Sequence, residues 1–258
     1  MKTQGIVLTA ILLALLSGNA NADNLADKFK QRYLGWKDFC AVLDLKITSR
    51  SGGERDGQSK ACVMRESDDQ GYLRITVLAP LGAKGTEILS HVLSGGERKQ
   101  WLYIPATKRA SPVNDSRAES PFLGTDLSFV DLGVNLVDPE EMQKTGEGDC
   151  DGQTCLAYDI EPRPGELRRQ AWLIEATGAL HHVDIYDGDK VIKRLTVGKE
   201  TQNEAGYWLP TQVTMENLRS GSATTMAYKE IQFDLGQKAA DYDPAKIYGS
   251  GGSRAPGK

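Results

Sequence analysis

The sequence predicts a mainly β (α+β) protein, a single domain built on a strongly curved antiparallel sheet. Apolar and polar residues alternate with a period of two in several short runs, among them residues 43–47 and 73–77. Glycine-containing turn signals such as 51–53 (SGG) and 187–189 (DGD) separate these runs, as expected for a meander. No long change of composition divides the 258 residues, and one all-β domain can reach about 250 residues.

The first residues are typical of a secretory signal peptide. Lys2 supplies a positive charge, residues 5–16 (GIVLTAILLALL) are apolar, and residues 20–22 (ANA) fit a small-residue cleavage site. The apolar run is too short to span a bilayer, and no cysteine follows it for lipid attachment. We therefore predict a signal peptide at 1–22 and export to the periplasm without a lipid anchor.

One amphipathic helix is predicted directly after the leader, over residues 24–35. Leu25, Phe29 and Tyr33 recur every four residues and share a helix face.

Strand-like alternation follows the helix. Residues 248–258 (YGSGGSRAPGK) predict a flexible tail because they are rich in glycine and serine. The folded domain is therefore expected at 23–247.

The alternation of apolar and polar residues that is typical of strands stops between residues 110 and 137, where Pro, Asn, Asp and Ser are mixed with large apolar residues. A long irregular insertion in a β meander is usually functional or mobile. Phe122, Leu127 and Phe129 need a place to be buried, which favours a loop that closes over the concave face of the sheet. Completion of an ordinary core is an equally compatible alternative.

The four cysteines predict two disulfides, because their number is even and the chain is predicted to be exported. Cys40 and Cys62 flank the turn at 51–53, while Cys150 and Cys155 enclose an Asp-Gly reversal. These positions favour the pairs Cys40–Cys62 and Cys150–Cys155 among three connectivities. A zinc site is the alternative, but the paired C-x-x-C knuckles of such sites are missing.

Charge and motifs argue against nucleic-acid binding and catalysis. There are 31 basic and 35 acidic residues, a formal charge of −4 with no basic excess. The sequence contains no G-x-S-x-G elbow, no H-E-x-x-H and no phosphate-binding loop. His181 and His182 are adjacent in a predicted strand, so we expect them on opposite faces and not on one metal. No enzyme activity, catalytic residue, metal or cofactor is expected.

Several segments carry recognisable motifs in order along the chain. They are 80–89 (PLGAKGTEIL), 101–109 (WLYIPATKR), 120–132 (SPFLGTDLSFVDL), 186–195 (YDGDKVIKRL), 207–211 (YWLPT), 215–217 (MEN) and 224–225 (TT). Together they span roughly residues 70–235. The set resembles the outer membrane lipoprotein-sorting proteins, a family related to LolA and LolB.

The resemblance implies a half-open β-barrel of about eleven strands, with helices and a loop over a concave cavity that binds lipid. It predicts a monomeric periplasmic carrier that takes the acyl chains of a lipoprotein or other lipid toward the outer membrane. An inner-membrane exporter of the RND type and an outer-membrane acceptor are the implied partners. The alternative is a non-enzymatic, lipid-sensing regulatory module of the RseB-like class, which binds a partner protein.

Candidate site residues lie in two strands and in the irregular loop. For the cavity or its gate they are Leu73, Ile75, Val77, Trp101, Leu102, Tyr103, Ile104, Phe122, Leu127 and Phe129. Alternation places Trp101 and Tyr103 on one face and Leu102 and Ile104 on the other, without deciding which face lines the cavity.

Two basic residues follow that strand. Lys108 and Arg109 are candidate contacts for a lipid headgroup phosphate, since a guanidinium can bind phosphate with two hydrogen bonds. A salt bridge to Asp126 or Asp131 is their alternative role.

Overall fold

The computed structural model describes residues 20–67, 70–94, 97–132 and 142–247. One helix, α1 (Ala20–Tyr33), precedes a single antiparallel sheet. The strands are β1 (Asp38–Thr48), β2 (Glu54–Arg65), β3 (Gly71–Ala79), β4 (Glu87–Val92), β5 (Arg98–Ile104), β6 (Arg109–Val113), β7 (Met142–Cys150), β8 (Gln153–Ile160), β9 (Arg168–Ile174), β10 (Leu180–Asp187), β11 (Lys190–Gln202), β12 (Trp208–Asn217) and β13 (Ser222–Phe233). Short 3-10 helices lie at Leu81–Ala83, Asp115–Arg117, Val130–Leu132, Ala239–Tyr242 and Pro244–Lys246.

The order of strands explains where the long irregular insertion comes from. The sheet runs β6-β5-β4-β3-β2-β1-β13-β12-β11-β10-β9-β8-β7, so the chain winds out from the centre to the edge at β6. It must then reach the opposite edge at β7 before it winds back to β13, which pairs with β1. The connection between β6 and β7 therefore has to pass across the sheet, and it is long for that reason.

The mainly β, antiparallel prediction is confirmed, but the expected count of about eleven strands was wrong, because the sheet has 13. The two edge strands show why such strands escape detection in a sequence. β6 reads RASPV and contains a proline, and β7 reads MQKTGEGDC and contains two glycines. Both pair through their backbones without alternating apolar side chains, so the pattern of the sequence does not reveal them.

The main core lies on the concave side of this half-barrel. Alternate residues of the strands, such as Leu43, Leu73 and Val213, form one buried cluster with the apolar face of α1. The predicted helix is confirmed, since Leu25 and Phe29 are 2% and 5% exposed. It begins at Ala20 and ends at Tyr33.

A smaller cluster covers the other face of the sheet near β5. Tyr103 is buried there with Met64, Leu89, Tyr242 and Ile247, and Trp101 packs against this cluster. The residues after β13 thus turn onto the convex face. Leu102, between the two aromatic residues, packs against the main core.

Both predicted disulfides are present. Cys40 and Cys62 are directly paired positions of β1 and β2, with Cα atoms 4.1 Å apart. Cys150 and Cys155 close the β7–β8 hairpin, with Cα atoms 5.8 Å apart. The turn signals between the cysteines therefore predicted the pairing correctly.

The predicted signal peptide and tail lie outside the described residues, apart from positions 20–22 at the start of α1. The boundaries of the predicted domain stay predictions. Within the part of the chain that the structure describes, no helix is long and apolar enough to cross a membrane.

Candidate functional site

The concave face and α1 enclose an apolar cavity of about 220 Å³. Phe29 and Tyr33 of α1 form one wall, and Leu127 and Leu132 of the crossing connection form another. The sheet supplies inward-facing residues from both halves, including Leu43, Ala61, Val63, Leu73, Ile75, Leu195, Val213, Met226 and Tyr228. This is the type of lining that accepts hydrocarbon, because contact with it removes apolar surface from water.

Among the described residues that line the cavity, only Asp131 carries a charged side chain. Its Oδ1 accepts a hydrogen bond from Nη2 of Arg169 at 3.0 Å, and its Oδ2 accepts one from Oγ of Ser128 at 2.6 Å. Burial alone lowers the pKa of Arg169, but the charges of Asp131 and Glu119 outweigh it, and the pKa is raised. The guanidinium stays charged, so Asp131 presents no uncompensated charge to the cavity.

One hydrogen-bond donor in the cavity wall has no acceptor. Trp36, between α1 and β1, is 7% exposed, and its indole Nε1 has no partner among the described residues. Phe39 packs edge-on against the ring at a centroid distance of 4.8 Å. Trp36 therefore offers a buried N–H donor at the cavity wall.

The end of α1 is fastened to the sheet beside the cavity by a polar cluster, which we call the latch (Arg32, Tyr33, Glu200 and Trp208). Glu200 of β11 accepts hydrogen bonds from the guanidinium of Arg32 and from the hydroxyl of Tyr33. The guanidinium also lies over the ring of Trp208, 3.8 Å from its centroid. Burial and the hydrogen bond to Glu200 raise the pKa of Tyr33, so its hydroxyl stays protonated and remains a donor.

Several predicted cavity residues do face the concave side. Leu73, Ile75 and Leu127 line the cavity itself. Val77, Phe122 and Phe129 are buried in the surrounding core, with the rings of Phe122 and Phe129 5.8 Å apart. Within residues 114–132, the crossing connection thus buries Phe122, Leu127 and Phe129 under the half-barrel, whereas Leu123 is exposed.

The residues of β5 divide between the two faces. Trp101 and Tyr103 pack on the convex face and do not line the cavity. Leu102 is half-buried against the concave core, and Ile104, at the strand end, is 39% exposed. If any of these four residues approaches a ligand in the cavity, it is Leu102.

Lys108 and Arg109 are exposed where the chain turns from β5 into β6. Asp126 and Asp131, their alternative partners, are taken by other groups. Asp126 accepts hydrogen bonds from Ser222 and Thr224, and Asp131 is held by Arg169. A headgroup contact by the two cations stays a prediction.

Sequence reasoning missed much of the cavity wall. The helix face, Trp36 and the strands β11 to β13 supply many lining residues, including Leu195, Trp208, Leu209, Met226 and Tyr228. The apolar stripe of α1 was a usable signal, since a helix beside a one-sided sheet must bury that stripe somewhere. Burial raises the pKa of Tyr228 to about 12, so it faces the cavity as a neutral phenol.

The prediction that His181 and His182 point to opposite faces was wrong. The register between β9 and β10 shifts here: Leu180 is opposite Leu173, and His182 is opposite Trp172. This bulge places two residues of β10 against one of β9, which breaks the simple alternation of side chains. The two imidazoles therefore meet, with their Nδ1 atoms 2.7 Å apart.

Proteins of known structure share this architecture. A family model described as an uncharacterized protein matches residues 69–247. Among curated proteins no sequence matches the chain at a significant level. Solved structures do match.

A domain from Vibrio parahaemolyticus described as an outer membrane lipoprotein-sorting protein has a TM-score of 0.79 at 21% identity, covering 88% of this chain and 99% of that one. A DUF1329 family protein from Desulfovibrio piger has a TM-score of 0.76 at 24% identity, covering 87% and 96%. A LolA superfamily protein from Nitrosomonas europaea has a TM-score of 0.66 at 14% identity, covering 86% and 97%. These similarities establish a shared fold.

Proposed function

We propose that this chain, which belongs to the family whose model matches residues 69–247 and which shares its fold with an outer membrane lipoprotein-sorting protein domain and a LolA superfamily protein, is a periplasmic lipid carrier. It binds the acyl chains of a lipoprotein or another lipid and transfers them toward the outer membrane. In this proposal an inner-membrane exporter of the RND type loads the cargo, and an outer-membrane acceptor removes it. The two disulfides fit an exported protein.

The observation that carries the proposal is the apolar cavity between α1 and the concave face. Each methylene group removed from water contributes about 0.8 kcal/mol, so ten methylenes contribute about 8 kcal/mol without any polar contact. The latch fastens the last turn of α1 beside the cavity, while Leu25 and Phe29 anchor the rest of the helix in the core. In this proposal the polar contacts of the last turn break and re-form during loading and release.

Native mass spectrometry of the protein purified from a bacterial periplasm tests this function. We expect a lipid or acylated peptide bound at about one per chain, and uptake of a fluorescent fatty acid by the protein once it has been delipidated. A ligand-free mass together with no fatty-acid uptake would contradict the carrier function. That result would instead favour a regulatory module that binds a partner protein.

Trp36→Phe tests whether the unpartnered indole N–H recognises the polar end of the acyl chain. The variant keeps an aromatic wall but loses the donor, and one hydrogen bond is worth about 0.5–1.5 kcal/mol. We expect fatty-acid affinity to fall about threefold to tenfold. Competition titrations with a fluorescent fatty acid measure the change.

Trp172→Phe is the matched control, because Trp172 also has a buried, unpartnered Nε1 but is not among the cavity-lining residues. Its affinity for fatty acid should equal that of the wild type. If Trp36→Phe also binds like the wild type, the indole is not a ligand contact.

Glu200→Gln tests the latch. The amide keeps the size of the side chain but loses its charge, which weakens its hydrogen bonds with Arg32 and Tyr33. We expect a bound fluorescent fatty acid to leave for lipid vesicles about tenfold faster, measured by stopped-flow fluorescence. Glu204→Gln, at an exposed position between β11 and β12, is the control. Equal release rates for both variants and the wild type would contradict a gating role for the latch.

A further inference from the structure

The structure holds a second candidate site on the convex face of the sheet, separate from the cavity. We propose that His181 and His182 bind one divalent copper ion through their Nδ1 atoms. Val183 and Ile185, which follow on β10, are buried in the concave core, whereas the ring of His182 stacks on Trp172 on the opposite face. The proposal therefore does not depend on the lipid-carrier function.

The tautomers of the two histidines provide the first argument. Nε2 of His181 lies 3.1 Å from Oδ2 of Asp151, and Nε2 of His182 lies 3.7 Å from Oδ2 of Asp184. The 3.1 Å contact to Asp151 places the proton of His181 on Nε2, so its Nδ1 carries a lone pair. Nδ1 of His182 lies at hydrogen-bond distance from that lone pair, 2.7 Å away, so a cation that replaces the proton between the two nitrogens would bind both. Carboxylates that orient histidine ligands through the other ring nitrogen are a regular feature of metal sites.

The distance between the nitrogens indicates which metal fits. With metal–nitrogen bonds of about 2.0 Å, a separation of 2.7 Å corresponds to an N–metal–N angle of about 85°. That angle matches neighbouring ligands in a square-planar or tetragonal site and not a tetrahedral one. Nitrogen ligands in tetragonal geometry suit Cu(II), which also binds most tightly among the divalent first-row metals.

The surroundings hold the two rings in place. Trp172 stacks on His182 with an angle of 14° between the rings and 5.5 Å between their centroids. Sγ of Cys150 lies within 4.8 Å of the ligand atoms of both histidines, but the disulfide to Cys155 occupies it. Asp184 is itself fixed by Arg194, with Oδ1 2.6 Å from the guanidinium Nε. The imidazoles are therefore the metal ligands, and water completes the coordination.

Copper titration of the whole chain with intact disulfides, purified without a histidine tag, tests the proposal. With CuCl₂ at pH 7.5 and glycine as competitor, we expect one Cu(II) per chain, with an electron paramagnetic resonance spectrum showing two imidazole nitrogens. Zinc should bind more weakly. His181→Ala and His182→Ala should each lower copper affinity at least about tenfold, and Asp151→Asn should lower it about tenfold.

His91→Gln is the control, because it removes the remaining histidine and lies on β4, where its Nε2 contacts the carbonyl of Tyr242 at 2.8 Å. Its copper affinity should equal that of the wild type. The spectrum of the wild-type protein does not depend on whether the alanine variants fold. A spectrum without imidazole nitrogens, or equal affinity of the folded His181→Ala/His182→Ala double variant, would overturn the site.

Discussion

Ala61→Phe is expected to prevent high-affinity binding of a fluorescent fatty acid while leaving the protein folded. Ala61 lies on β2 between Ala41 and Ile75, is 4% exposed and lines the cavity. A phenyl ring at this position projects into the 220 Å³ that we propose for the acyl chain. If the ring displaces four methylenes, the lost burial is about 3 kcal/mol, on the order of a hundredfold in affinity.

Ala227→Phe is the matched control for this substitution. Ala227 lies on β13 between Asp44 and Gln212, is half-buried, and points away from the cavity that Met226 and Tyr228 line. Overpacking a core costs about 1–3 kcal/mol, so urea unfolding of both variants must show that the native state persists. Fatty-acid binding by a folded Ala61→Phe protein with wild-type affinity would mean that the ligand binds elsewhere.

The sequence predicted those parts of the fold that depend on local pattern. Period-two alternation in 73–77 predicted a strand with Leu73 and Ile75 on one face, and both residues line the cavity. The Asp-Gly reversal predicted that Cys150 and Cys155 pair within one hairpin. In both cases residues that are close together in the sequence determine the feature that was predicted.

Other features depend on partners that are distant in the sequence. The face of β5 that meets the cavity is decided by Tyr242 and Ile247, which cover Tyr103 from the far end of the domain. The bulge that brings His181 to His182 depends on pairing with Trp172 of β9. Alternation within one strand cannot reveal a register shift against its neighbour, so the wrong prediction for the histidines has a physical cause.

The crossing connection shows the same division between local pattern and long-range contact. Its apolar residues indicated that it must bury them, and Phe122, Leu127 and Phe129 are indeed buried. It is also attached to the sheet by polar contacts that are long-range in the sequence. Arg169 of β9 binds Glu119 and Asp131 with nitrogen–oxygen distances of 2.9 and 3.0 Å.

Arg169→Ala is expected to destabilise the protein by about 3–5 kcal/mol, because it leaves Asp131 buried without its counter-charge. The side chains of Arg169 and Asp131 are 7% and 1% exposed. Urea unfolding at pH 7 measures the loss. Arg168→Ala is the control. The side chain of Arg168 is 37% exposed and its guanidinium pairs with Asp159 at the surface, so we expect a loss of about 1 kcal/mol or less.

The double variant Arg169→Met/Asp131→Leu separates the effect of charge from that of packing. Replacing a buried ion pair by apolar residues is often neutral, so this variant should recover most of the stability that Arg169→Ala loses. Because Asp131 lines the cavity, Arg169→Ala should also weaken fatty-acid binding, and the double variant should restore it. An equally unstable double variant would show that other contacts matter more than the ion pair: those of Arg169 Nη1 with Glu119 and the carbonyl of Leu167, or that of Asp131 with Ser128. Recovery of both properties would show that the arginine serves to neutralise Asp131, so that a charged residue can stand in the wall of an apolar cavity.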